Sequence, residues 1–389
     1  MNKEPIGIGV IGMGWMGEVH ARSYAQLRSR FGDDAPEVRL VVCADDVTAR
    51  AESSRAKLGF DACVTDWRKV VEDPAVAAVI VTSPNATHRE ICEAAAANGK
   101  HVFCEKPVGR NGEDTATIER TTREAGLVSG VGYNYRHVPV VGQIRSLIAS
   151  GRLGEITHYR GNFLVGYGSD PEGALSWRFQ RETAGSGCLG DLMSHVIDMA
   201  HYQAGPIRSL TSWSHTYIPT RPIPQPGQGT HFSSGGDGPR GPVTNEDYVS
   251  ALVEFENGAR GTFETCRVIK GPGCEMAFEI HGTAGAARWN FERMNEYELF
   301  LDSADDPGFS RIFANPTHPH YGAWYPGPAN SMGYEDLKVI EALTFAKAVA
   351  TGEQGTPGFA EALRVAEVEA AMERSWKSGG REEIVPIEV

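Results

Sequence analysis

A glycine-rich turn near the start of the chain limits the folds that this sequence can adopt. The turn, Gly12-Met13-Gly14-Trp15-Met16-Gly17, follows an apolar run from Ile6 to Ile11 and leads into a stretch with helical periodicity. A G-x-G-x-x-G sequence between a buried strand and a helix is typical of dinucleotide-binding folds, in which the helix amides bind the phosphates. We expect Gly12 to permit the tight turn, Gly14 to let a pyrophosphate approach, and Gly17 to bring helix and strand together. By itself the motif is a weak signal, because the chain contains 45 glycines.

A second apolar run, from Val38 to Ala44, ends at two acidic residues that indicate which dinucleotide binds. Asp45 lies somewhat further beyond Gly17 than the roughly 20 residues expected for the acid that contacts the adenosine ribose. An acid at this position would repel the 2′-phosphate of NADP, so the sequence predicts NAD as the cofactor. The alternative is that Asp45 or Asp46 caps the helix that begins near Thr48, and the two aspartates could divide these roles.

Composition narrows the class of protein further. The chain has 389 residues, of which 41% are hydrophobic and 22% are charged, a composition typical of a globular protein with two domains. A formal net charge of −13 without Lys/Arg-rich runs argues against nucleic acid as a partner. No apolar run approaches membrane-spanning length, and no signal segment precedes the first strand, so we expect no membrane contact and a cytoplasmic location. Seven cysteines without a C-x-x-C pair agree with a reducing compartment.

The first third of the chain alternates apolar runs with helical patterns, which predicts a doubly wound parallel sheet. The predicted strands are Ile6–Ile11, Val38–Ala44, Cys63–Thr65, Val76–Thr82, His101–Cys104 and Val128–Tyr133, and the clearest helices are Thr87–Asn98 and Gly112–Ala125. We therefore expect an NAD-binding domain over residues 1–134 and a second α/β domain over residues 135–389, for substrate binding and oligomerisation.

The second domain has a different pattern, in which strands alternate apolar and polar residues. Helical patterns cover Pro139–Ser150 and Leu189–Gln203, and Asn257-Gly258 between two strand runs is a strong hairpin signal. One apolar face would be formed by Val249, Ala251, Val253, Phe255, Phe263, Met276, Phe278 and Ile280. The sequence thus predicts an open, largely antiparallel sheet with one face against helices. The other face is available to a partner subunit, and we expect a homodimer or homotetramer.

Two later segments also carry local signals. Residues 218–244 are rich in Pro, Gly and Ser and show no periodicity, which predicts a long loop or flap. Apolar residues from Val339 to Val349 recur at helical spacing and stop at Gly352. Thr356-Pro357 then predicts the start of a last helix, with an N-cap followed by proline at the first helical position.

Polar segments follow three strands of the predicted parallel sheet and must meet at its carboxyl edge, where ligands bind. They are Thr82-Ser83-Pro84-Asn85, Glu105-Lys106-Pro107 and Gly132-Tyr133-Asn134. Lys106 would place an amine beside the nicotinamide ring, although a solvated lysine paired with Glu105 is the alternative. We expect the cofactor to contact Gly12, Gly14, Trp15, Met16, Gly17, Asp45, Thr82, Ser83, Pro84, Asn85, His88, Glu105, Lys106 and Asn134.

The second candidate constellation is Asp191-Leu192-Met193-Ser194-His195, which lies in a helical pattern. Residues four apart share a helix face, so Asp191 and His195 are expected to point the same way. A carboxylate beside an imidazole suits a general base with its orienting partner. The alternative is an Asp–His pair on the surface, and the pair alone proves little.

Together these segments resemble the Gfo/Idh/MocA oxidoreductases. The matching residues are Gly12–Gly17, Thr82–His88, Gly99–Pro107, Trp177-Arg178 and Gly187–His195. The resemblance implies a Rossmann domain, a following α/β domain with an open sheet, and a substrate between them. It also implies that Lys106 binds and polarises the reacting hydroxyl, that His195 is the base, and that Asp191 holds the substrate or the imidazole. Met193 departs from the glycine of many members and affects the pocket shape.

Residues 315–334 resemble a subgroup of sugar dehydrogenases that act on pyranosides or anhydrosugars. The segment is rich in aromatic residues and contains His318 and His320, which suit a polyhydroxylated ring. A metal site at these histidines is disfavoured, because no carboxylate or cysteine stands at ligand spacing. The expected substrate contacts are Lys106, Tyr135, Trp177, Arg178, Asp191, His195 and His318.

These observations predict an NAD-dependent dehydrogenase that oxidises a secondary hydroxyl of a cyclic polyol or sugar, such as a pyranoside, an anhydrosugar or an inositol. One alternative is an NAD-dependent glycoside hydrolase that works by transient oxidation and elimination. Another is a regulator that binds NAD and sugar without chemistry, and the intact Lys106, Asp191 and His195 argue against it.

Overall fold

The structure, a computed structural model, describes residues 4–224, 238–302, 305 and 308–388. Its first sheet is parallel and has six strands in the order β3-β2-β1-β4-β5-β6. The strands are β1 (Ile6–Ile11), β2 (Val38–Ala44), β3 (Ala62–Val64), β4 (Ala78–Val81), β5 (His101–Cys104) and β6 (Ser129–Val131). Continuous apolar runs such as β4 are buried on both faces, as parallel sheets covered by helices require. The predicted doubly wound sheet is confirmed.

Helices cover this sheet, and those predicted near Thr48, Thr87 and Gly112 begin within one residue of these positions. They are α1 (Trp15–Phe31), α2 (Thr48–Leu58), α3 (Arg68–Glu72), α4 (His88–Ala97) and α5 (Gly112–Glu124). The order of the strands reverses between β1 and β4, and the loops after β1, β4, β5 and β6 therefore share one edge. This edge carries the three polar segments singled out from the sequence.

The second sheet has nine strands in the order β16-β15-β14-β13-β7-β12-β11-β8-β17. Its strands are β7 (Ile156–Val165), β8 (Ile207–His215), β11 (Tyr248–Phe255), β12 (Arg260–Cys266), β13 (Cys274–Gly282), β14 (Gly285–Asn290), β15 (Glu296–Leu301), β16 (Ser310–Phe313) and β17 (Glu382–Glu383). All neighbours are antiparallel except β7 and β12, so the predicted open, largely antiparallel sheet is confirmed. The hairpin between β11 and β12 turns at Asn257-Gly258, as predicted.

The two faces of this sheet differ in character. The apolar face predicted from the alternation is buried, and its members on β11, from Val249 to Phe255, are at most 5% exposed. On the opposite face, Trp213 and Leu252 are 74% and 66% exposed. The strand register places these two side chains on the same side of β8 and β11. The sheet thus has one packed face and one open face.

The remaining helices are α6 (Pro139–Ala149), α7 (Arg181–Ala184), α8 (Ser194–Ala204), α9 (Tyr334–Thr351) and α10 (Phe359–Ser378). The predicted start of the last helix at Thr356-Pro357 is wrong, because α10 begins at Phe359 with Gly358 as its N-cap. The first amides of this helix find other acceptors: the Glu361 carboxylate accepts from Gly358 N at 2.8 Å, and the Ser129 hydroxyl accepts from Phe359 N at 3.0 Å.

The segment predicted as a long loop is partly regular. Its ends form β9 (Thr220–Pro222) and β10 (Arg240–Pro242), which pair antiparallel, while residues 225–237 lie outside the described residues. Arg221 accounts for the regular structure of β9. Its buried guanidinium donates to the carbonyls of Gly168 and Asp170 and lies 4.0 Å from the ring centroid of Phe179. Such contacts are long-range and leave no periodic signal in the sequence.

The end of the chain returns to the first sheet. Helix α9 packs against α1, where Glu335 accepts hydrogen bonds from Arg22 at 2.8 and 2.9 Å. The domain boundary expected after residue 134 stays a prediction, since residues beyond it contact both sheets. Within the described residues, no helix is long and apolar enough to cross a membrane.

Candidate active site

The glycine turn has the geometry that a dinucleotide requires. Gly12 has a φ of 93°, and a Cβ there would lie 2.7 Å from the amide nitrogen of Ser83. A Cβ at Gly17 would collide with the carbonyl oxygen of Gly12, so helix α1 can approach β1 only with glycine at this position. A Cβ at Gly14 would have no atom within 4 Å. The turn thus offers open space in front of the helix amides, where a pyrophosphate binds.

The loop after β4 is held against the glycine turn. The Thr82 hydroxyl donates to the carbonyl of Gly12 at 2.6 Å, and the amide of Asn85 donates to the carbonyl of Ala184 at 2.9 Å. The ring nitrogens of His88 lie 3.0 and 2.8 Å from the carbonyl oxygens of Pro107 and Ser83. His88 therefore links two loops through its ring nitrogens, and its expected contact with the cofactor stays a prediction.

Asp45 connects the end of β2 to the glycine turn. Its carboxylate accepts from the amides of Met13 and Val47, each at 2.9 Å, and from the guanidinium of Arg50 at 3.1 Å. The alternative that Asp45 or Asp46 caps α2 is wrong, because the N-cap is Val47 and lacks a side-chain cap. Asp45 occupies the position beyond β2 where an acid meets the adenosine ribose.

Lys106 lies at the centre of the site and contacts the second domain. Its ammonium donates to the Asp191 carboxylate at 2.9 Å and to the Asp191 carbonyl at 2.7 Å. The hydroxyl of Tyr167 donates to the other carboxylate oxygen at 2.7 Å, and Arg178 Nη1 lies 3.4 Å from Oδ1. Lys106 is therefore not a solvated lysine paired with Glu105.

The charges around Asp191 decide its protonation. Burial alone would raise the pKa of this carboxyl, but the ammonium of Lys106, the guanidinium of Arg178 and the Tyr167 hydrogen bond hold the pKa well below its usual range. Asp191 is thus ionised at any physiological pH. The site contains an ammonium, a guanidinium and a carboxylate in contact before a substrate binds.

His195 lies beside this group in an aromatic environment. Its ring is 4.9 Å from that of Tyr135, 5.9 Å from Tyr133 and 5.8 Å from Phe163, between ring centroids. Burial, followed by the charge of Lys106, lowers the pKa of His195 well below 6.5. The imidazole is therefore neutral and able to accept a proton.

The expected pairing of Asp191 with His195 does not occur among the described contacts. Leu189–Met193 winds as a π-helical turn, and α8 begins only at Ser194. Asp191 lies in this turn, and its carboxylate bonds to Lys106 and Tyr167. Its charge still acts on the nearby imidazole of His195. Met193, the departure from the family pattern, is fully buried in this turn.

Two polar nitrogens of the site are buried without a hydrogen-bond partner in the described part of the chain. They are Nε of Arg178, whose guanidinium lies 4.5 Å from the ring of Trp177, and Nδ2 of Asn134 at the end of β6. Buried donors are normally satisfied. Their position beside Asp191 and after β6 points to acceptors on a ligand.

Aromatic side chains line one side of the site from the glycine turn to His195. The rings of Trp15 and Tyr334 stack at 5.5 Å, Tyr334 and Phe291 lie 6.3 Å apart, and Phe291 and Tyr135 lie 5.0 Å apart. We call these four residues the aromatic wall. Trp15 is 62% exposed, which is unusual for tryptophan and leaves an apolar surface at the mouth of the site.

His318 lies elsewhere. Its Nε2 is 3.1 Å from the amide of Asn315, and its ring is 6.2 Å from that of Tyr297 on β15. No described contact joins it to Lys106 or Asp191, so its expected role in substrate binding stays a prediction.

Glu105 contacts a buried network rather than an open cleft. Its Oε1 lies 2.7 Å from His20 Nε2 and 2.7 Å from Lys338 Nζ, which also donates to Glu341 at 2.9 Å. Burial would raise the pKa of Glu105, but Lys338 and His20 hold it well below its usual range. Among the described residues, one cluster of side chains could ligate a metal ion, and it consists of His20, Glu105 and Glu341. The ammonium of Lys338 already supplies a positive charge there. The network fixes the position of Glu105, and through the main chain it also fixes that of the neighbouring Lys106.

Comparison with known proteins identifies the family. Residues 6–133 match the model of the oxidoreductase family with an NAD-binding Rossmann fold, and residues 141–288 match the GFO/IDH/MocA C-terminal domain. The chain belongs to the Gfo/Idh/MocA family. Membership confirms the resemblance read from the sequence, makes the chain an oxidoreductase acting on CH–OH groups, and makes NAD its cofactor.

Individual relatives extend over the whole chain. It is 38% identical to levoglucosan dehydrogenase of Pseudarthrobacter phenanthrenivorans over 380 residues, covering 95% of this chain and 97% of that protein. A solved structure of levoglucosan dehydrogenase in complex with NADH and levoglucosan superposes with a TM-score of 0.92 at 35% identity, covering 98% and 100% of the two chains. scyllo-Inositol 2-dehydrogenase (NAD(+)) of Bacillus subtilis is 28% identical over 278 residues, 71% of each chain.

Three site residues were missed in the sequence analysis. Tyr167 follows β7, and its only signal was its place just after a strand. Phe291 follows β14, and Tyr334 begins α9 within the aromatic segment noted from the sequence. All three lie beyond residue 134, where the strand ends carry no motif.

Proposed function

We propose that this protein is an NAD-dependent dehydrogenase that oxidises a secondary hydroxyl of a cyclic sugar or polyol to a ketone, with an anhydrosugar or pyranoside as the favoured substrate. The observation that carries the proposal is the contact of Lys106 with Asp191, beside a neutral His195, at the cofactor edge of the Rossmann sheet. The substrates in the names of the relatives, levoglucosan and scyllo-inositol, are both cyclic and polyhydroxylated.

Each charged or basic residue of the site has a separate role in the proposed reaction. The neutral imidazole of His195 accepts the hydroxyl proton. The ammonium of Lys106 stabilises the developing alkoxide by charge and hydrogen bond, and Asp191 fixes that ammonium in place. Arg178 binds a further oxygen of the ring through its unpartnered Nε. NAD, when bound, supplies the hydride acceptor.

The aromatic wall supports a ring substrate. Sugar rings have apolar C–H faces that pack on aromatic side chains, while their hydroxyls contact polar groups on the opposite side. Here the wall faces one side of the site, and Lys106, Asp191 and Arg178 provide the polar groups. An anhydrosugar, whose bridge exposes more apolar surface than an inositol, suits such a wall.

The test is an absorbance assay of NADH formation with levoglucosan, inositols, hexoses, pentoses and alkyl glycosides. We expect NADH with levoglucosan or a pyranoside at a kcat/KM at least about tenfold above that with inositols, about 1.4 kcal/mol. Sugar released from a glycoside without net NADH would instead identify the glycoside hydrolase. NAD binding without turnover on any sugar would identify the non-catalytic sensor.

We also propose that the open face of the second sheet joins copies of this chain into a homodimer or homotetramer. The exposed Trp213 and Leu252 support this, because contiguous apolar groups on a sheet face are characteristic of subunit interfaces.

A further inference from the structure

Three consecutive polar residues just before β11 are buried outside the site. The first two form hydrogen bonds to the segment that carries Arg178 and Asp191. Asn245, Glu246 and Asp247 are 3%, 5% and 0% exposed. Buried charges are costly unless they are fully hydrogen-bonded, and a well-packed apolar group often stabilises a fold as well. Their contacts therefore indicate what they do.

Glu246 binds the start of the turn that carries Asp191. Its Oε1 accepts from the amides of Gly187 and Leu189 at 2.7 and 3.0 Å, and its carbonyl accepts from the amide of Cys188 at 3.0 Å. Three successive amides thus donate to one residue that lies almost sixty positions further along the chain. The amide of Leu189 is the first donor of the π-helical turn Leu189–Met193, and the amides of Gly187 and Cys188 belong to the residues that lead into it.

Asn245 binds the other segment of the site. Its amide donates to the carbonyl oxygens of Arg178 and Ser186, each at 2.9 Å. Arg267, which is fully buried, donates to Asn245 at 2.8 Å and to Asp247 at 2.8 Å. The orientation of the Asn245 amide is therefore fixed.

These contacts converge on Arg178 and on the turn that carries Asp191, and Asp191 is ion-paired with both Arg178 and Lys106. We propose that Glu246, supported by Asn245, is a positioning residue of the active site. It sets the π-helical turn, and hence Asp191, against Lys106, while Asn245 sets the backbone of Arg178. The carboxylate also faces Arg181, whose guanidinium lies 3.5 Å away and reaches Glu373 on α10 at 3.0 Å.

The test compares Glu246→Leu, which leaves the amides of Gly187 and Leu189 without an acceptor, with Glu246→Gln, which retains one. Glu353→Gln, at an exposed position between α9 and α10, is the control. Steady-state kinetics with NAD and levoglucosan are measured well below the melting temperature of each variant. Glu246→Leu should lower kcat/KM about 10- to 100-fold while the NADH dissociation constant stays within about twofold, and Glu246→Gln should recover to within about threefold.

A purely structural residue would lower the melting temperature and leave kcat/KM of the folded enzyme unchanged, which would overturn the proposal. If Glu246→Leu does not fold, Asn245→Ala takes its place with the same two outcomes. The inference rests on the proposed function, and wild-type turnover tests that function separately. Should the wild type be inactive, hydrogen exchange decides: faster exchange confined to residues 178–191 in Glu246→Leu supports positioning, and exchange equal to the wild type contradicts it.

Discussion

Lys106 and Asp191 make two hydrogen bonds to each other, one through the carboxylate and one through the main-chain carbonyl. The ammonium is therefore oriented before a substrate arrives. Groups that are oriented in advance stabilise a developing charge without reorganisation, which is the largest contribution in many enzymes. Tyr167 and Arg178 complete the set around the same carboxylate.

His195→Asn tests the proton acceptor. The variant should lose about 10² to 10⁴ in kcat and keep its affinity for NAD, because general base catalysis contributes about that much. His201→Asn, on the same helix α8, is the matched control and should change little. Because the pKa of His195 is lowered, the wild-type base stays deprotonated as the pH falls through 6.5. Near-normal turnover of His195→Asn would remove it from the mechanism.

Part of the site could be predicted from single residues. Lys106 and the glycine turn follow strands of a parallel sheet, and such strand ends meet at one edge by geometry alone. The partner of Asp191 could not be predicted, because Lys106 follows a strand of the other sheet, 85 positions earlier in the chain. Tyr167 was missed for a similar reason: the second sheet carries it to Asp191 across 24 residues without a local signal.

The elements around β5 form a buried charged layer between the strand, α1 and α9. Glu105 follows β5, His20 lies on α1, and Lys338 and Glu341 lie on α9. Burial raises the pKa of Glu341 to about 8, although Lys338 opposes this. The folded protein thus holds a proton on Glu341 over a pH range in which the unfolded chain has lost it.

Stability should depend on pH accordingly. Since the folded pKa of Glu341 lies above the unfolded value of 4.5, its contribution is full below pH 4.5 and is lost as the pH rises toward 8. Glu341→Gln, which imitates the protonated form, should gain about 1–3 kcal/mol in unfolding free energy relative to wild type across this window. Denaturant unfolding at both ends of the range measures it, with Glu353→Gln as control. A difference that does not change with pH would contradict the assignment.

We expect the end of β2 to govern the choice of dinucleotide. Asp45 presents a carboxylate there, and the nearby guanidinium of Arg50 is bonded to it. NAD should therefore be preferred over NADP by at least about tenfold in kcat/KM, about 1.4 kcal/mol. Asp45→Asn should reduce this ratio, whereas Asp46→Asn, at an exposed position, should not. Equal or inverted efficiencies of the wild type would exclude this role of Asp45.

Elements with local signals were predicted within a few residues, as for α4 and the β11–β12 hairpin. The start of α10 lies two residues beyond the predicted Pro357, since the hydroxyl of Ser129, 230 positions away, accepts from the amide of Phe359. The strands β9 and β10 were not predicted for a similar reason, because Arg221 orders them through hydrogen bonds to distant carbonyls. Long-range acceptors override local propensity.

The whole molecule combines a cofactor sheet with an open sheet that we assign to assembly. Trp213 and Leu252 lie on the same face, next to the charged Glu254 and Glu264 on β11 and β12. Leu252→Glu should shift the assembly toward a smaller species, because it places like charges at a shared surface. Light scattering after gel filtration measures the mass. Val385→Glu, an exposed apolar position in no strand, is the control. An unchanged mass for Leu252→Glu, or a monomeric wild type, would contradict this interface.

The central claim is that Lys106 stabilises an alkoxide that exists only in the transition state. Its most direct test is the steady-state kinetics of Lys106→Met with NAD and the best sugar substrate, with Lys347→Met as control and a thermal melt to confirm folding. The account predicts that kcat and kcat/KM fall together by about 10²-fold or more. A rise in KM at constant kcat would limit Lys106 to binding, and unchanged kinetics would contradict the site.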